Sequence, residues 1–295
     1  MITSFKALSD SVANAGKRKI LVAANATDEH TLLSIVRAVK AGFVEAFLVG
    51  NAAEIEPVEG LKSEFIHIID VADKTAAAEK AVAMVRGGEA DILMKGLMNT
   101  DVLLKAVLNK ERGILQAGNV LSHVGVLEIP KYHKLLFFTD AAVIPSPTLE
   151  QRTAQIKYAV RAAKSFGIAQ PKIALLHASE KPSPKIQYTQ DYLAILEMHR
   201  SGEFGDVVID APLDMSLSID PESVEIKGVA TPVNGDADIL VFPNIESANC
   251  FYKAMTHFAE AKMAGILQGT DKPVILMSRS ETAESKFYSI AMACL

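Results

Sequence analysis

Short apolar runs alternate along the chain with stretches whose apolar residues recur every three or four positions, the mark of strands interleaved with amphipathic helices. "KILVAAN" (residues 19–25) predicts a strand, and in "DEHTLLSIVRAVKA" Leu32, Val36 and Val39 share one helical face. "EAFLVGN" is the next strand, which makes a βαβ unit, since parallel neighbours need a helical crossover. "EFIHIID" and "DILMKG" are further strands. Between them "DKTAAAEKAVAMVRGG" is a helix stopped by Gly87 and Gly88. "NTDVLLKAVLNK" is a helix capped by Asn99 or Thr100. "VLSHVGVLEI" and "KLLFFTDA" predict two more strands, antiparallel neighbours.

The register breaks at "AVIPSPT", where two prolines interrupt any period, and a domain crossing is expected at residues 142–147. A second alternating set follows. The helices are "TLEQRTAQIKYAVRAAKSFG", "YTQDYLAILEMHRSG" and "ESANCFYKAMTHFAEAK", the last with Phe251, Met255, Phe258 and Lys262 in one row. The strands are "KIALLHA", "DVVIDAP", "ADILVFPN" and "PVILMS", and a helix from Glu281 to Cys294 closes the chain. Alternating strands and helices mean an α/β fold with a mostly parallel sheet.

Composition narrows the function classes. The 295 residues suit two domains or one large one. Of these, 49% are hydrophobic and 22% charged, as in ordinary globular proteins. A net charge of −5 argues against a nucleic-acid partner, so any anionic ligand must be met by a few placed cations. Cys250 and Cys294 make no disulfide framework and no zinc spacing, and they predict reduced thiols. The first residues lack the apolar core of a secretory signal, and no run reaches the length of a membrane span. The expectation is a cytoplasmic protein with no metal.

In open parallel sheets ligands bind beyond the carboxyl ends of the strands. Chargeable residues gather at those positions: Lys95-Gly96, Thr139-Asp140, the segment from His177 to Lys181, Asn244 to Glu246, and Ser278-Arg279. The last is the most pointed. Ser278 and Glu281 have the spacing of a capping box, which would put Arg279 near the first helical position, where the dipole disfavours a cation. An anion held there by the guanidinium and free N–H groups resolves the conflict. The other candidates have plainer uses. Lys95 fits a solvated strand end, and the spacing of a P-loop is absent. Ser122 and His123 are adjacent on a strand and face opposite sides, so they predict no catalytic dyad. Asp140 fits a cap, a magnesium ligand or an acid–base group. Lys181 and Lys185, in the proline-stiffened "SEKPSPK", are either exposed or meet a phosphorylated cofactor.

Taken in order, "ADILMKGLMNTDVLLKAVL", "LSHVGVLEIP", "FFTDAAVIPSPTLEQ", "GDADILVFPNIESANCFYKAM" and "PVILMSRSETAESK" resemble the phosphate acetyl/butyryltransferase family, from about Ala15 to the C-terminus. "EKPSPKIQYTQD" and "SRSETAESK" are more similar to its butyryl-type branch. The resemblance implies two parallel-sheet-rich α/β domains of the isocitrate/isopropylmalate dehydrogenase-like fold with the site in a cleft between them. The last helix returns to the first domain, which gives residues 1–142 plus 281–295 and residues 143–280. It implies reversible acyl transfer from CoA to inorganic phosphate, no tightly bound cofactor, CoA as substrate, and a dimer or larger homo-oligomer. Arg279 would bind phosphate, and Ser278 would donate to phosphate or the oxyanion. Acetyl-type members carry an aspartate base six residues after that arginine; Ser285 stands there, and Glu284 is the nearest carboxylate. Lys95, Thr100, Ser122, His123, Asp140 and Asn249 would line the cleft, and they and Lys181 would bind phosphate or CoA. Two other classes are open: a decarboxylating dehydrogenase using NAD and a divalent metal, and a non-catalytic CoA-binding protein.

Overall fold

A computed structural model describes residues 1–55, 60–278 and 281–295. In chain order the elements are α1 (Phe5–Asn14), β1 (Lys19–Ala24), α2 (Glu29–Lys40), β2 (Val44–Gly50), α3 (Ala52–Ile55), β3 (Ile66–Asp70), α4 (Lys74–Arg86), β4 (Ile92–Lys95), α5 (Thr100–Val107), β5 (Ser122–Glu128) and β6 (Leu136–Thr139). There follow α6 (Leu149–Ser165), β7 (Lys172–Leu176), α7 (Gln187–Arg200), β8 (Val208–Leu213), α8 (Met215–Ile219), α9 (Pro221–Lys227), β9 (Ile239–Val241), α10 (Ile245–Phe258), β10 (Lys262–Gln268), β11 (Val274–Ile275) and α11 (Ala283–Ala293).

The chain folds as two compact units, Phe5–Leu121 with Ala264–Leu295, and Met1–Ser4 with Ser122–Met263. The first holds strands in the order β3-β2-β1-β4-β11-β10. Each neighbouring pair from β3 to β11 is parallel, and β10 runs antiparallel to β11. β4 is buried along its whole length, with the apolar run Ile92 to Met94 typical of a strand covered on both faces. Asp28 and Asp73 cap α2 and α4 by accepting from the amides of Thr31 and Ala76. Gly87 ends α4, and Gly88 takes the left-handed conformation (φ +77) that favours glycine. The last helix joins this unit through aromatic faces. Tyr288 stacks on Phe5 at 4.6 Å, Phe287 on Phe43 at 5.2 Å, and the Arg37 guanidinium lies 3.9 Å above the Phe287 ring.

The second unit orders its strands β5-β6-β9-β7-β8, parallel except for the β5–β6 pair. Thr148 and Gln151 form a full capping box at the start of α6. Its core packs β5 and β6 against α10, with the Phe138 ring among Phe251, Tyr252 and His123. The units divide at Leu121/Ser122 and Met263/Ala264, whereas the prolines had suggested residues 142–147. β5 pairs with β6, and β6 with β9, so both strands go with the segment that follows them.

The sequence pattern did not show α1, α3, α8, α9 or β10, and it misplaced element ends at two points. α10 stops at Phe258, Glu260 turns left-handed (φ +53), and residues 262–268 form a strand, so Lys262 does not continue the helical row. β11 is short and α11 begins at Ala283 rather than near Glu281. Among the described residues no helix is long and apolar enough to cross a membrane.

Candidate active site

The candidate residues fall into two sets, one in each unit. In the unit containing α11, Ala24 pairs with Lys95, so β1 and β4 end level with each other. Their outgoing loops are laced together. Gly96 N–H donates to Ala24 O at 2.9 Å, Leu97 N–H to Asn25 O at 2.7 Å, and the Asn25 side-chain amide to Leu97 O at 2.6 Å. Asn25 adopts the left-handed conformation (φ +53), which asparagine tolerates better than most residues. The approach is so close that a Cβ on Gly96 would sit 2.3 Å from the Asn25 carbonyl oxygen. The glycine of Lys95-Gly96 is therefore a steric requirement. Lys95 is 4% exposed, and its ammonium donates to the carbonyls of Gly96 and Met98, each at 3.3 Å. The solvated strand end suggested by sequence is replaced by a buried cation that holds the loop. Thr100 is exposed at the start of α5, whose N-cap is Asn99.

Ser278 is exposed beyond β11, and its carbonyl accepts from Glu281 N–H at 3.2 Å. It does not cap the last helix. Thr282 does, through the Ser285 amide at 3.1 Å. Arg279, the residue on which the anion argument turned, lies outside the described residues. Glu284 accepts a hydrogen bond from the Tyr288 hydroxyl at 3.1 Å, one turn along. Ser285 is buried, and its hydroxyl accepts from that of Thr282 at 3.2 Å. Sequence reasoning missed Lys286, which is 3% exposed and donates to Asp28 Oδ1 at 3.1 Å and Thr31 Oγ1 at 3.0 Å. Its signal was a lysine on the apolar face of a helix, where an unpaired charge is costly. Burial raises the Asp28 pKa, but bonds from Thr31 and the Lys286 charge outweigh it and hold the carboxyl below its ordinary value.

In the other unit Ser122 and Asp140 meet: the hydroxyl donates to Asp140 Oδ2 at 2.9 Å. Asp140 also accepts from the amides of Ala142 (2.8 Å), Val143 (3.0 Å) and Ile144 (3.3 Å). Four donors on one buried carboxylate make it the pin of the turn after β6. Asn249, on α10, donates to Ala141 O at 3.0 Å and clasps the same turn. His123 is 2% exposed, and its backbone carbonyl accepts from Thr139 Oγ1 at 2.8 Å. Its Nδ1 has no partner among the described residues. Burial pushes the imidazole pKa down against the opposing pull of Asp140, so the ring is neutral at neutral pH. Lys181 is exposed on the loop after β7. His177 pairs with the Tyr188 hydroxyl at 2.7 Å. Among the described residues no group of three or more His, Cys, Asp or Glu could hold a metal ion. A groove of about 940 Å³ between α4 and α5, lined by Ala76, Lys80, Arg86, Val102 and Lys105, contains none of the candidate residues.

A mostly parallel α/β fold with polar side chains at the strand ends is the frame of a ligand-handling protein, and the comparisons name the kind. The chain belongs to the family described as Phosphate acetyl/butaryl transferase, whose model matches residues 74–294. It is 39% identical to a phosphate butyryltransferase of Clostridium acetobutylicum, across 100% of this chain and 98% of that one. It is 37% identical to a phosphate acetyltransferase of Thermotoga maritima, across 95% of this chain and 96% of the relative. Among solved structures, a branched-chain phosphotransacylase from Enterococcus faecalis V583 superposes with a TM-score of 0.81 at 32% identity, covering 94% of this chain and 98% of that one. A 4-hydroxythreonine-4-phosphate dehydrogenase from Klebsiella pneumoniae shares the fold alone, with a TM-score of 0.54 at 13% identity over 94% and 98% of the two chains. That likeness bears out the dehydrogenase-like α/β class.

Proposed function

We propose that this chain reversibly transfers a short acyl group between CoA and inorganic phosphate, with butyryl-CoA as its preferred thioester. The observation that carries the reading is the 39% identity to a phosphate butyryltransferase over the whole chain. Phosphate oxygen attacks the thioester carbonyl, a tetrahedral oxyanion forms, and its collapse breaks the C–S bond, giving acyl phosphate and CoA thiolate, which takes up a proton. Holding phosphate beside the carbonyl supplies most of the acceleration, and fixed donors stabilise the oxyanion.

In this reading Arg279 binds phosphate and Ser278 donates to phosphate or oxyanion. Glu284 exchanges the thiol proton, giving up its bond to Tyr288 as it does so. Lys95, Thr100, His123 and Lys181 contribute to phosphate and CoA binding, while Ser122, Asp140 and Asn249 hold the turn after β6. The site needs no tightly bound cofactor and no metal. Acyl-CoA and phosphate as substrates support a cytoplasmic location.

The test is thiol release from C2 to C6 acyl-CoAs with and without phosphate. Phosphate-dependent release with a maximum at C4 is expected. Arg279→Ala should lower kcat/KM at least 100-fold, mainly through phosphate. CoA binding without any phosphate-dependent release in the native protein would make this a CoA-binding protein and not an enzyme.

A further inference from the structure

Arg152, in the first turn of α6, is the largest fully buried side chain of the molecule, at 0% exposure. A cation is disfavoured there twice, by the positive end of the helix and by loss of water. Among the described residues no carboxylate pairs with it. Its guanidinium instead reaches three backbone carbonyls. Nη1 donates to Phe242 O at 2.9 Å, and Nη2 to Pro243 O at 3.1 Å and Pro147 O at 3.4 Å. The Tyr192 ring stands 5.2 Å from its Cζ.

Those carbonyls belong to two different loops. Pro147 closes the segment after β6, which begins with Asp140 and its pinned turn. Phe242 and Pro243 leave β9 and lead into α10, which carries Asn249. Both loops leave the carboxyl ends of neighbouring parallel strands, the ends at which such sheets hold ligands. A planar fork of five donors suits this task; an ammonium reaches fewer acceptors and holds no fixed plane.

We infer that Arg152 is a positioning residue: it ties the loop after β6 to the loop after β9 and so sets the placement of the Asp140 turn and of Asn249 for acyl transfer. The inference rests on the reaction proposed above, but the tie has its own readout. Phe242 N–H donates to Thr139 O at 3.0 Å, Ile245 N–H to Pro145 O at 3.0 Å, and Asn249 to Ala141 O, so further bonds join the same two segments, and Arg152 supplies the charged tie among the described residues.

The experiment compares the native chain with Arg152→Lys, Arg152→Met and a control, Ile156→Ala, which removes buried volume one turn along the same helix and leaves the guanidinium in place. Amide hydrogen exchange is followed in peptides covering residues 141–148 and 242–249, and turnover is measured at two temperatures well below each melting point. Exchange in both peptides should quicken at least 10-fold in both Arg152 variants and stay native in the control. Turnover should fall 10-fold or more in Arg152→Lys and further in Arg152→Met, by the same factor at both temperatures. Native exchange in the two peptides in a folded Arg152 variant overturns the tie. A turnover loss that vanishes on cooling, or that the control shows equally, overturns the positioning role. Absence of phosphate-dependent thiol release in the native protein sinks the reaction itself, while the exchange result still decides the tie.

Discussion

Lys286 and Asp28 show how much one side chain joins. The ammonium, 3% exposed, is held by Asp28, which also caps α2, and by Thr31 one turn further on. Replacing Lys286 by Met leaves a partly buried carboxylate without its counter-charge, and the expected loss is about 3 kcal/mol, the low end for a broken buried pair. The pH dependence follows from the direction of the Asp28 shift. Its folded pKa lies below the ordinary value, so its contribution is fully present above the unfolded pKa of about 4 and is lost as pH falls through the folded one. Denaturant unfolding of native and Lys286→Met protein should therefore show a gap that is constant from pH 5 to 7 and narrows below about pH 4. Gly96 makes the complementary point. In sequence it is one glycine after a lysine; in the structure it is where two loops touch, and only the chain partner Asn25 reveals why no side chain fits.

At the scale of elements the pattern of apolar positions located every strand but β10 and the helices α2, α4, α5, α6, α7, α10 and α11, because burial imposes periods of 2 and 3.6 whatever the neighbours are; it passed over α1 and the short α3, α8 and α9. The other failures lie at ends. The α10 row reads on into Lys262 because "AEAKMAGIL" is apolar enough for either state, and a left-handed Glu260 separates helix from strand. Both Ser278 and Thr282 are acceptable N-caps by type; the structure uses Thr282. Pairing was less legible still. Gly125 on β5 stands opposite Phe138 on β6, and a Cβ there would lie 2.3 Å from the ring. That ring is fixed by Phe251 and Tyr252 and has little room to retreat. Gly125→Ala should cost about 1–3 kcal/mol by overpacking. Thermal melts of Gly125→Ala alone and with Phe138→Leu check this: the second change should restore part of the loss, and simple additivity would refute the steric account.

For the whole molecule, family membership and fold were legible from ordered motifs spread along the chain. The oligomeric state belongs to the proposal. α10 leaves the Phe258 ring 89% exposed at its end. Light scattering behind size exclusion should give at least twice the monomer mass of 31.7 kDa. Phe258→Glu should shift it toward one chain, and a native monomer at micromolar concentration would end the idea. Acyl preference is also decided at this scale. Butyryl exceeds acetyl by two methylenes, worth together only about 1.6 kcal/mol or roughly fifteenfold, so the proposed preference for C4 over C2 depends on pocket shape.

By itself the sequence determined the α/β class, the order of elements and the set of polar residues at strand ends, because these follow from local periodicity and from which residues a parallel sheet exposes at its carboxyl edge. Only tertiary structure decided that Asp140 spends its carboxylate on a turn and Ser122, that Lys95 and Lys286 are buried cations, and that the units divide before β5. Each of these depends on a partner distant along the chain, and a carboxylate or ammonium has the same letter whether it faces water, a carbonyl or an opposite charge.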